Sequence, residues 1–135
     1  MNGVYRMSGK YGYNRLREIP APIIDIKITN PALQKSITRR GKIDTGADLS
    51  AIPYNVVEEL ALEPMGMRYI LGYNRTVPSQ GRPLYYVDTE LAGYIFKSIQ
   101  VIGAARPDIL IGRNILNNLT LVLKGKSNTF EISDP

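Results

Sequence analysis

The sequence has no histidine and no cysteine among its 135 residues. Nucleophilic catalysis by a Ser-His-Asp or Cys-His arrangement is therefore excluded, because both arrangements need an imidazole base. Histidine and cysteine are also the usual zinc ligands, so these are missing. Without cysteine, disulfide bonds cannot form. If the chain is an enzyme, its proton-transfer groups must be Asp, Glu, Lys or Tyr, or a Ser paired with Lys.

Long apolar runs are also missing. No stretch approaches the roughly 20 apolar residues that span a bilayer, and the first 20 residues lack the continuous apolar segment of a secretory signal. With no cysteine to suggest an oxidising compartment, we expect a cytoplasmic protein without membrane contact. Hydrophobic residues make up 44% of the chain and charged residues 21%, which is ordinary for one soluble globular domain.

The charge balance is moderately basic, with a formal net charge of +5. The basic residues are scattered, and only residues 38–40 and the N-terminal segment look clustered. A solvated surface explains this distribution, so we expect nucleic-acid binding to be unlikely by the usual criteria of a basic footprint.

The apolar pattern predicts a mostly β protein. Residues 1–21 show no apolar periodicity and end near two prolines, so we interpret them as a mobile N-terminal arm, followed by a folded domain over residues 22–135. Alternating apolar residues at 23–28 and further strand-like runs along the chain are interrupted by two short helical patterns, after Pro53 and after Gly112. This order of elements predicts a closed or folded-over barrel with two short helices.

Two segments are candidates for chemistry. Residues 44–48 read Asp-Thr-Gly-Ala-Asp at the end of a predicted strand, and residues 110–116 read Leu-Ile-Gly-Arg-Asn-Ile-Leu. The first segment alone is compatible with a plain turn, because Asp and Gly favour turns for local backbone reasons.

Taken together, the two segments resemble the retroviral-type, single-domain aspartic proteases, the retropepsins. Residues 44–48 match the first family motif without substitution, residues 110–116 match the second, and the predicted elements between them follow the family order. The resemblance covers roughly residues 22–123. It implies a retropepsin-like fold with one lobe per chain and aspartic endopeptidase activity on a peptide or protein substrate.

Peptide hydrolysis by carboxylates needs two of them, one ionised to activate water and one protonated to donate to the scissile carbonyl. This chain offers one Asp-Thr-Gly, because residues 88–90 read Asp-Thr-Glu and lack the glycine that permits a tight turn. A second Asp44 must then come from another copy of the chain. The resemblance therefore implies a homodimer with its site on the two-fold axis, and neither a metal nor a cofactor is expected.

The resemblance also implies roles for single residues in the first segment. Asp44 is the expected catalytic carboxylate, and Thr45 is expected to brace the two loops across the dimer. Gly46 would let its backbone approach the substrate, and Ala47 and Asp48 would line the substrate cleft.

In the second segment Arg113 is expected to pair with Asp48, with Gly112 and Asn114 as structural support. The alternative for Arg113 is a solvated cation at the start of a helix, because surface ion pairs contribute little.

A long polar loop between two strand-like runs falls where retropepsins carry the flap that closes over substrate. The resemblance assigns substrate binding there to Gly72, Tyr73 and Asn74, and the alternative is a plain surface hairpin. The loop departs from the glycine-rich family pattern at Tyr73, Arg75 and Pro78. Residues 124–135 also extend beyond the family's usual end, so the sheet between subunits is expected to be built differently, and removal of the arm by self-cleavage is a hypothesis.

Two other functions stay open. One is a non-catalytic dimeric module that binds extended peptides on the same fold, since fold alone does not determine function. The other is a basic nucleic-acid-binding β-barrel that uses the Tyr-, Arg- and Lys-rich arm.

Overall fold

A computed structural model of the chain describes residues 9–70 and 80–133. Within these ranges it contains two short α-helices, α1 (Tyr54–Glu59) and α2 (Arg113–Leu116), and a 3₁₀ turn at Gly125–Ser127. The strands are β1 (Gly9–Gly12), β2 (Ile23–Asn30), β3 (Lys35–Ile43), β4 (Ser50–Pro53), β5 (Met67–Ile70), β6 (Gln80–Leu91), β7 (Tyr94–Ala104), β8 (Ile109–Ile111), β9 (Thr120–Lys124) and β10 (Thr129–Ser133). The prediction of a mostly β protein with two short helices is confirmed.

Six of these strands close into a mixed barrel. The hydrogen-bonded order is β2-β3-β8-β4-β7-β6, and a further pairing of β2 with β6 closes the circle. The pairs β3–β8 and β4–β7 are parallel, whereas the remaining neighbours are antiparallel. Among the described residues, strand β5 pairs with β6 alone and so forms the edge of this sheet. Closure removes the free edges that six separate strands would expose, and the predicted barrel is confirmed.

The barrel interior is filled by apolar side chains that come from alternate residues along the strands. On β2 the side chains of Ile24, Ile26 and Ile28 are buried while Asp25 and Lys27 are exposed, because successive side chains of a strand point to opposite faces. The same alternation on the other strands contributes to one large buried cluster. Burial of this apolar area is the main favourable term that holds the barrel together.

Each helix buries one apolar face against the barrel. Helix α1 begins after Pro53 and buries Val56 and Val57, whereas α2 begins after Gly112 and buries Ile115 and Leu116. Both helices are shorter than the ordinary helix of a globular protein, so their stability comes from packing rather than from helix propensity. No helix in the described part of the chain has both the length and the apolar character needed to cross a membrane.

A second sheet joins the two ends of the described chain. Its order is β1-β10-β9, so the segment after residue 8 pairs with a strand close to the C-terminus. Tyr11 stacks on the buried ring of Phe130 at a centroid distance of 5.2 Å, and Tyr13 lies 6.0 Å from the same ring. The sequence pattern did not predict a strand here, because the segment is short and its two tyrosines find their apolar partner more than a hundred residues away. The domain boundary at residue 21 stays a prediction.

Candidate active site

The candidate site is built around a tight turn that begins at the end of β3. The backbone N–H of Asp44 donates to the carbonyl of Ile111 (2.9 Å), which ties the turn to β8. Within the turn, the N–H of Gly46 donates to Oδ1 of Asp44 (2.9 Å) and the N–H of Ala47 donates to the Asp44 carbonyl (3.3 Å). Asp therefore caps its own turn, as Asp side chains commonly do. The half-buried Asp44 carboxylate is held in one orientation by this turn.

The backbone of Gly46 lies close to that carboxylate. A Cβ atom at this position would lie 3.2 Å from Oδ1 of Asp44, which is tighter than ordinary van der Waals contact. A side chain at residue 46 would thus press on the oxygen that the Gly46 N–H now holds. Thr45 and Gly46 are both exposed, so the outer surface of the turn is open for contact with another molecule.

Gly112 and the first two residues of α2, Arg113 and Asn114, pack against the first loop. The N–H of Gly112 donates to Oγ of Ser50 (2.9 Å), and a Cβ on Gly112 would lie 2.7 Å from the carbonyl carbon of Leu49 and 2.8 Å from its oxygen. No L side chain fits at such distances from a backbone. Glycine at residue 112 therefore permits this close approach to the first loop.

Arg113 connects several points of the first loop. Its backbone N–H donates to the Ala47 carbonyl (2.8 Å), and its guanidinium donates to the Thr45 carbonyl (2.8 Å) and to the Asp48 carboxylate. The Asp48 side chain is 84% exposed and that of Arg113 42%, so solvent screens the ion pair and its contribution to stability is modest. The forked geometry of the guanidinium matters more, because it binds a carbonyl and a carboxylate at the same time.

Asn114 of α2 adds a further set of hydrogen bonds to this connection. Its Oδ1 accepts hydrogen bonds from the N–H and from the hydroxyl of Ser50, both at 2.9 Å. Its Nδ2 donates to the carbonyl of Gln100 (2.7 Å), which brings β7 into the same network. The buried polar groups of this network are all paired, and a paired network holds its members in one arrangement.

A cleft of about 670 Å³ opens beside this pair of loops. Its lining is mainly apolar, with the first loop on one side and β5 on the other. Ala51 and Ile102, together with Leu84, form a small buried cluster separate from the main core, and both residues also line the cleft. Met67 and Tyr69 of β5 also line the cleft and are more than half exposed. The arrangement can bind an extended apolar chain next to the Asp44 turn.

Comparison with known proteins was made on sequence and on structure. No protein-family model matches the sequence, and no curated protein matches it. A crystal structure of a retropepsin-like aspartic protease from Rickettsia conorii matches over 99% of this chain and 97% of that chain, with a TM-score of 0.71 and 15% identity. EIAV protease in complex with an inhibitor matches over 79% of this chain and 92% of that chain, with a TM-score of 0.54 and 20% identity. The chain has a retropepsin-like fold.

Within this retropepsin-like fold, both predicted segments lie at one end of the barrel. Asp44 to Asp48 form the turn, and Gly112 with the start of α2 supports it. The predicted flap residues Gly72, Tyr73 and Asn74 belong to the segment 71–79, which lies outside the described residues. Strands β5 and β6 flank that segment as a paired hairpin.

One residue of the candidate site was not predicted from the sequence. Ser50 is 1% exposed and its hydroxyl accepts from Gly112 while it donates to Asn114. The available signal was a single small polar residue within the apolar run at 49–52, and buried polar groups of this kind are normally hydrogen-bonded. Over the described ranges, no group of three or more acidic side chains is placed to hold a metal ion.

Proposed function

We propose that the chain is an aspartic endopeptidase that acts as a homodimer, with one Asp44 from each subunit. The observation that carries this proposal is the Asp44 turn itself, which is held by Gly112, Arg113 and Asn114 at the mouth of an apolar cleft. The retropepsin-like fold supports it, although fold and activity are separate questions.

The chemistry requires two carboxylates with different protonation states. The ionised carboxylate removes a proton from water, and the resulting hydroxide attacks the scissile carbonyl carbon while the protonated carboxyl donates to the carbonyl oxygen. Collapse of the tetrahedral intermediate breaks the C–N bond as the nitrogen takes up a proton. Two carboxylates in close contact cannot both be ionised, so they share one proton. Asp44 and its symmetry mate would provide this pair.

The geometry of Asp44 suits that role. Oδ1 is already engaged by the N–H of Gly46, whereas Oδ2 has no hydrogen-bond partner in the described part of the chain. The engaged oxygen fixes the plane of the carboxylate, which leaves the other oxygen to meet water and the second carboxyl group. Exposure of Thr45 and Gly46 gives a second copy access to the same turn.

The cleft indicates the kind of substrate. An extended peptide could pair with the edge strand β5, since main-chain hydrogen bonds to a sheet edge provide affinity and side-chain pockets provide specificity. The apolar lining formed by Leu49, Ala51, Ile102 and Leu110 favours apolar side chains near the scissile bond. We propose that the hairpin of β5 and β6 closes over the peptide as a lid that excludes water.

The dimer contact is proposed to differ from an exchange of terminal strands. Strands β1 and β10 already pair within one chain, with Gly9 opposite Ile132 and Gly12 opposite Thr129. The terminal segments therefore have partners before a second copy arrives. We propose that the subunits meet through their Asp44 turns, while each keeps its own three-stranded sheet.

The decisive experiment replaces the carboxylate with its nearly isosteric amide. Asp44→Asn should lower peptide cleavage about 10³-fold or more, because the amide can neither take nor give the proton. Cleavage of a diverse peptide mixture, followed by mass spectrometry, measures this loss. Thermal unfolding and sedimentation should remain close to wild type, because Asn can still accept the Gly46 hydrogen bond.

Asp25→Asn is the matched control, since Asp25 is exposed on the outer face of β2. It should leave cleavage unchanged. Full peptidase activity in the Asp44→Asn variant would refute the proposal.

The apolar cleft beside an edge strand also supports a second candidate, a dimer that binds extended peptides without cutting them. It predicts that the wild-type protein protects a bound peptide and releases it intact. Peptides recovered uncleaved after binding, with equal affinity for wild type and Asp44→Asn, would favour this second function.

A further inference from the structure

The charged side chains of the cleft differ in how their charges are compensated. Asp48 and Arg68 both line the described part of the cleft, and they carry opposite charges. The Asp48 carboxylate accepts a hydrogen bond from the guanidinium of Arg113, so its charge is neutralised within the chain. Arg68 has no carboxylate within ion-pair distance in the part of the chain that the structure describes. The cleft therefore has a positive charge at Arg68 for which these residues supply no counterion.

The residue opposite Arg68 in the β5–β6 hairpin is also a cation. The register places Arg82 of β6 directly opposite Arg68, and directly opposed residues of a strand pair have their side chains on the same face. Opposed like charges destabilise a strand pair, whereas opposed unlike charges stabilise it. The pairing of β5 with β6 therefore does not explain an arginine at residue 68.

The two neighbours of Arg68 on β5 project from the other face of the hairpin. A Cβ atom on Gly81 would lie 2.9 Å from Cε of Met67 and 3.2 Å from Cε1 of Tyr69, so these two side chains share one face. Arg68 stands between them in the sequence and projects from the opposite face, because side chains alternate along a strand. All three residues line the cleft, so the cleft extends around the edge of β5 that lies opposite to β6.

We propose that Arg68 gives the site a preference for peptides in which an acidic residue stands between two apolar residues. The inference rests on the proposed function, in which an extended peptide pairs with the edge of β5. The side chains of such a peptide alternate between two faces, and the residue opposite Arg68 shares its face. A carboxylate there accepts two parallel hydrogen bonds from the guanidinium fork. The residues before and after it lie on the other face, where Met67 and Tyr69 present apolar surface.

The test uses short peptides rich in Val and Leu that carry one Glu at successive positions, each matched by the same peptide with Gln. Fluorescence anisotropy measures their binding to the Asp44→Asn variant, which keeps the cleft and should not cut, and mass spectrometry measures their cleavage by the wild-type protein. At one position Glu should be favoured over Gln about three- to tenfold, as expected for a bidentate charged pair that solvent partly screens. Added salt should reduce this preference and leave binding of the Gln peptide unchanged.

Substitutions of Arg68 separate a role in specificity from a role in structure. Arg68→Gln should abolish the preference for Glu, while thermal unfolding and binding of the Gln peptide stay unchanged because residue 68 is exposed. Arg68→Lys should retain part of the preference, and Arg68→Glu should reverse it in favour of a peptide with Lys at the same position. Arg40→Gln is the matched control, since Arg40 is exposed on β3 and is not among the described residues that line the cleft. Its preference for Glu should equal that of the parent protein.

The outcomes distinguish this inference from the proposed function. Equal binding of the Glu and Gln peptides at every position would overturn the inference and leave the peptidase proposal intact, as would a preference for Glu that persists in the Arg68→Gln variant. Selective binding of a Glu peptide that Arg68→Gln abolishes, without cleavage by the wild-type protein, would support the inference and contradict the catalytic proposal alone. Failure of every peptide to bind would overturn both.

Discussion

The chain contains the pair Asp-Thr twice, and the two occurrences have different surroundings. Asp44-Thr45 is followed by glycine in an exposed turn at the end of β3, whereas Asp88-Thr89 is followed by Glu90 inside strand β6. Thr45 is exposed, and Thr89 is 2% exposed. The same two residue types thus stand once on an open surface and once against the barrel interior.

The carboxylates of Asp44 and Asp88 also differ in their hydrogen bonds. Oδ1 of Asp88 accepts from the N–H of Ser98 (3.0 Å), and Oδ2 accepts from the ammonium group of Lys97 (3.4 Å). Both oxygens hold together an irregular part of the β6–β7 pairing, where the register shifts between Val87 and Thr89. Asp44 has one engaged oxygen and one without a partner in the described part of the chain. A structural carboxylate uses both oxygens within the fold, and a candidate catalytic one keeps an oxygen available.

Apart from removal of the Asp44 carboxylate itself, the largest effect is expected where the glycine of the Asp44 turn is changed. Gly46→Ala would place a methyl group 3.2 Å from Oδ1 of Asp44, and the carboxylate must turn or shift to accept it. Because small misplacements of a reacting group are costly, kcat/KM for a cleaved peptide should fall about ten- to a hundredfold. Gly125→Ala serves as control, since a Cβ there meets nothing within 4 Å. Wild-type kcat/KM in the Gly46→Ala variant would show that this glycine does not distinguish the two sites.

At Asp88-Thr89 we expect a substitution to change stability and to leave catalysis unchanged. Asp88→Ala removes the acceptor for the N–H of Ser98, so a partly buried donor loses its partner. Urea unfolding should show a loss of about 1–3 kcal/mol in the free energy of unfolding, while peptide cleavage per folded dimer stays at the wild-type rate. Loss of cleavage without loss of stability would contradict the structural role assigned to Asp88.

Glu131 is a third carboxylate for this comparison, and the smallest change in stability is expected there. A hydrogen bond from Lys124 lowers the pKa of Glu131. Burial opposes this shift, and the charges of Lys124 and Lys10 lower the pKa further. A lowered pKa means that the ionised form stabilises the fold above the ordinary pKa of glutamate, and that this stabilisation disappears as pH falls through the folded-state pKa.

The Glu131→Gln variant should therefore melt at a slightly lower temperature than wild type at pH 7. At strongly acidic pH the two proteins should melt at the same temperature. Added salt should also remove the difference, because the pair faces solvent. The control is Glu58→Gln on the exposed face of α1, which should show no such dependence. A Glu131→Gln difference that grows at acidic pH would contradict this sign.

The sequence was sufficient to predict the barrel, the order of its elements and the meeting of its two motifs. Local patterns carried this information, such as the alternation Ile24, Ile26, Ile28 on β2 and the glycine before α2. The pairing of β1 with β10 and the role of Ser50 were not predictable in the same way. Each depends on a partner distant in the chain, Phe130 for Tyr11 and Asn114 for Ser50. The spacing of apolar residues within a short segment does not indicate a distant partner.

The pairing of β1 with β10 has a consequence for how the chain can be handled. Residues 9–12 and 129–133 form neighbouring antiparallel strands of one sheet, so the start of the first strand lies beside the end of the second. Shortening the chain past Tyr11 would remove the ring that stacks on Phe130, and would weaken the last strand from the opposite end of the sequence. Truncation into the described strands from either end would therefore weaken the same three-stranded sheet.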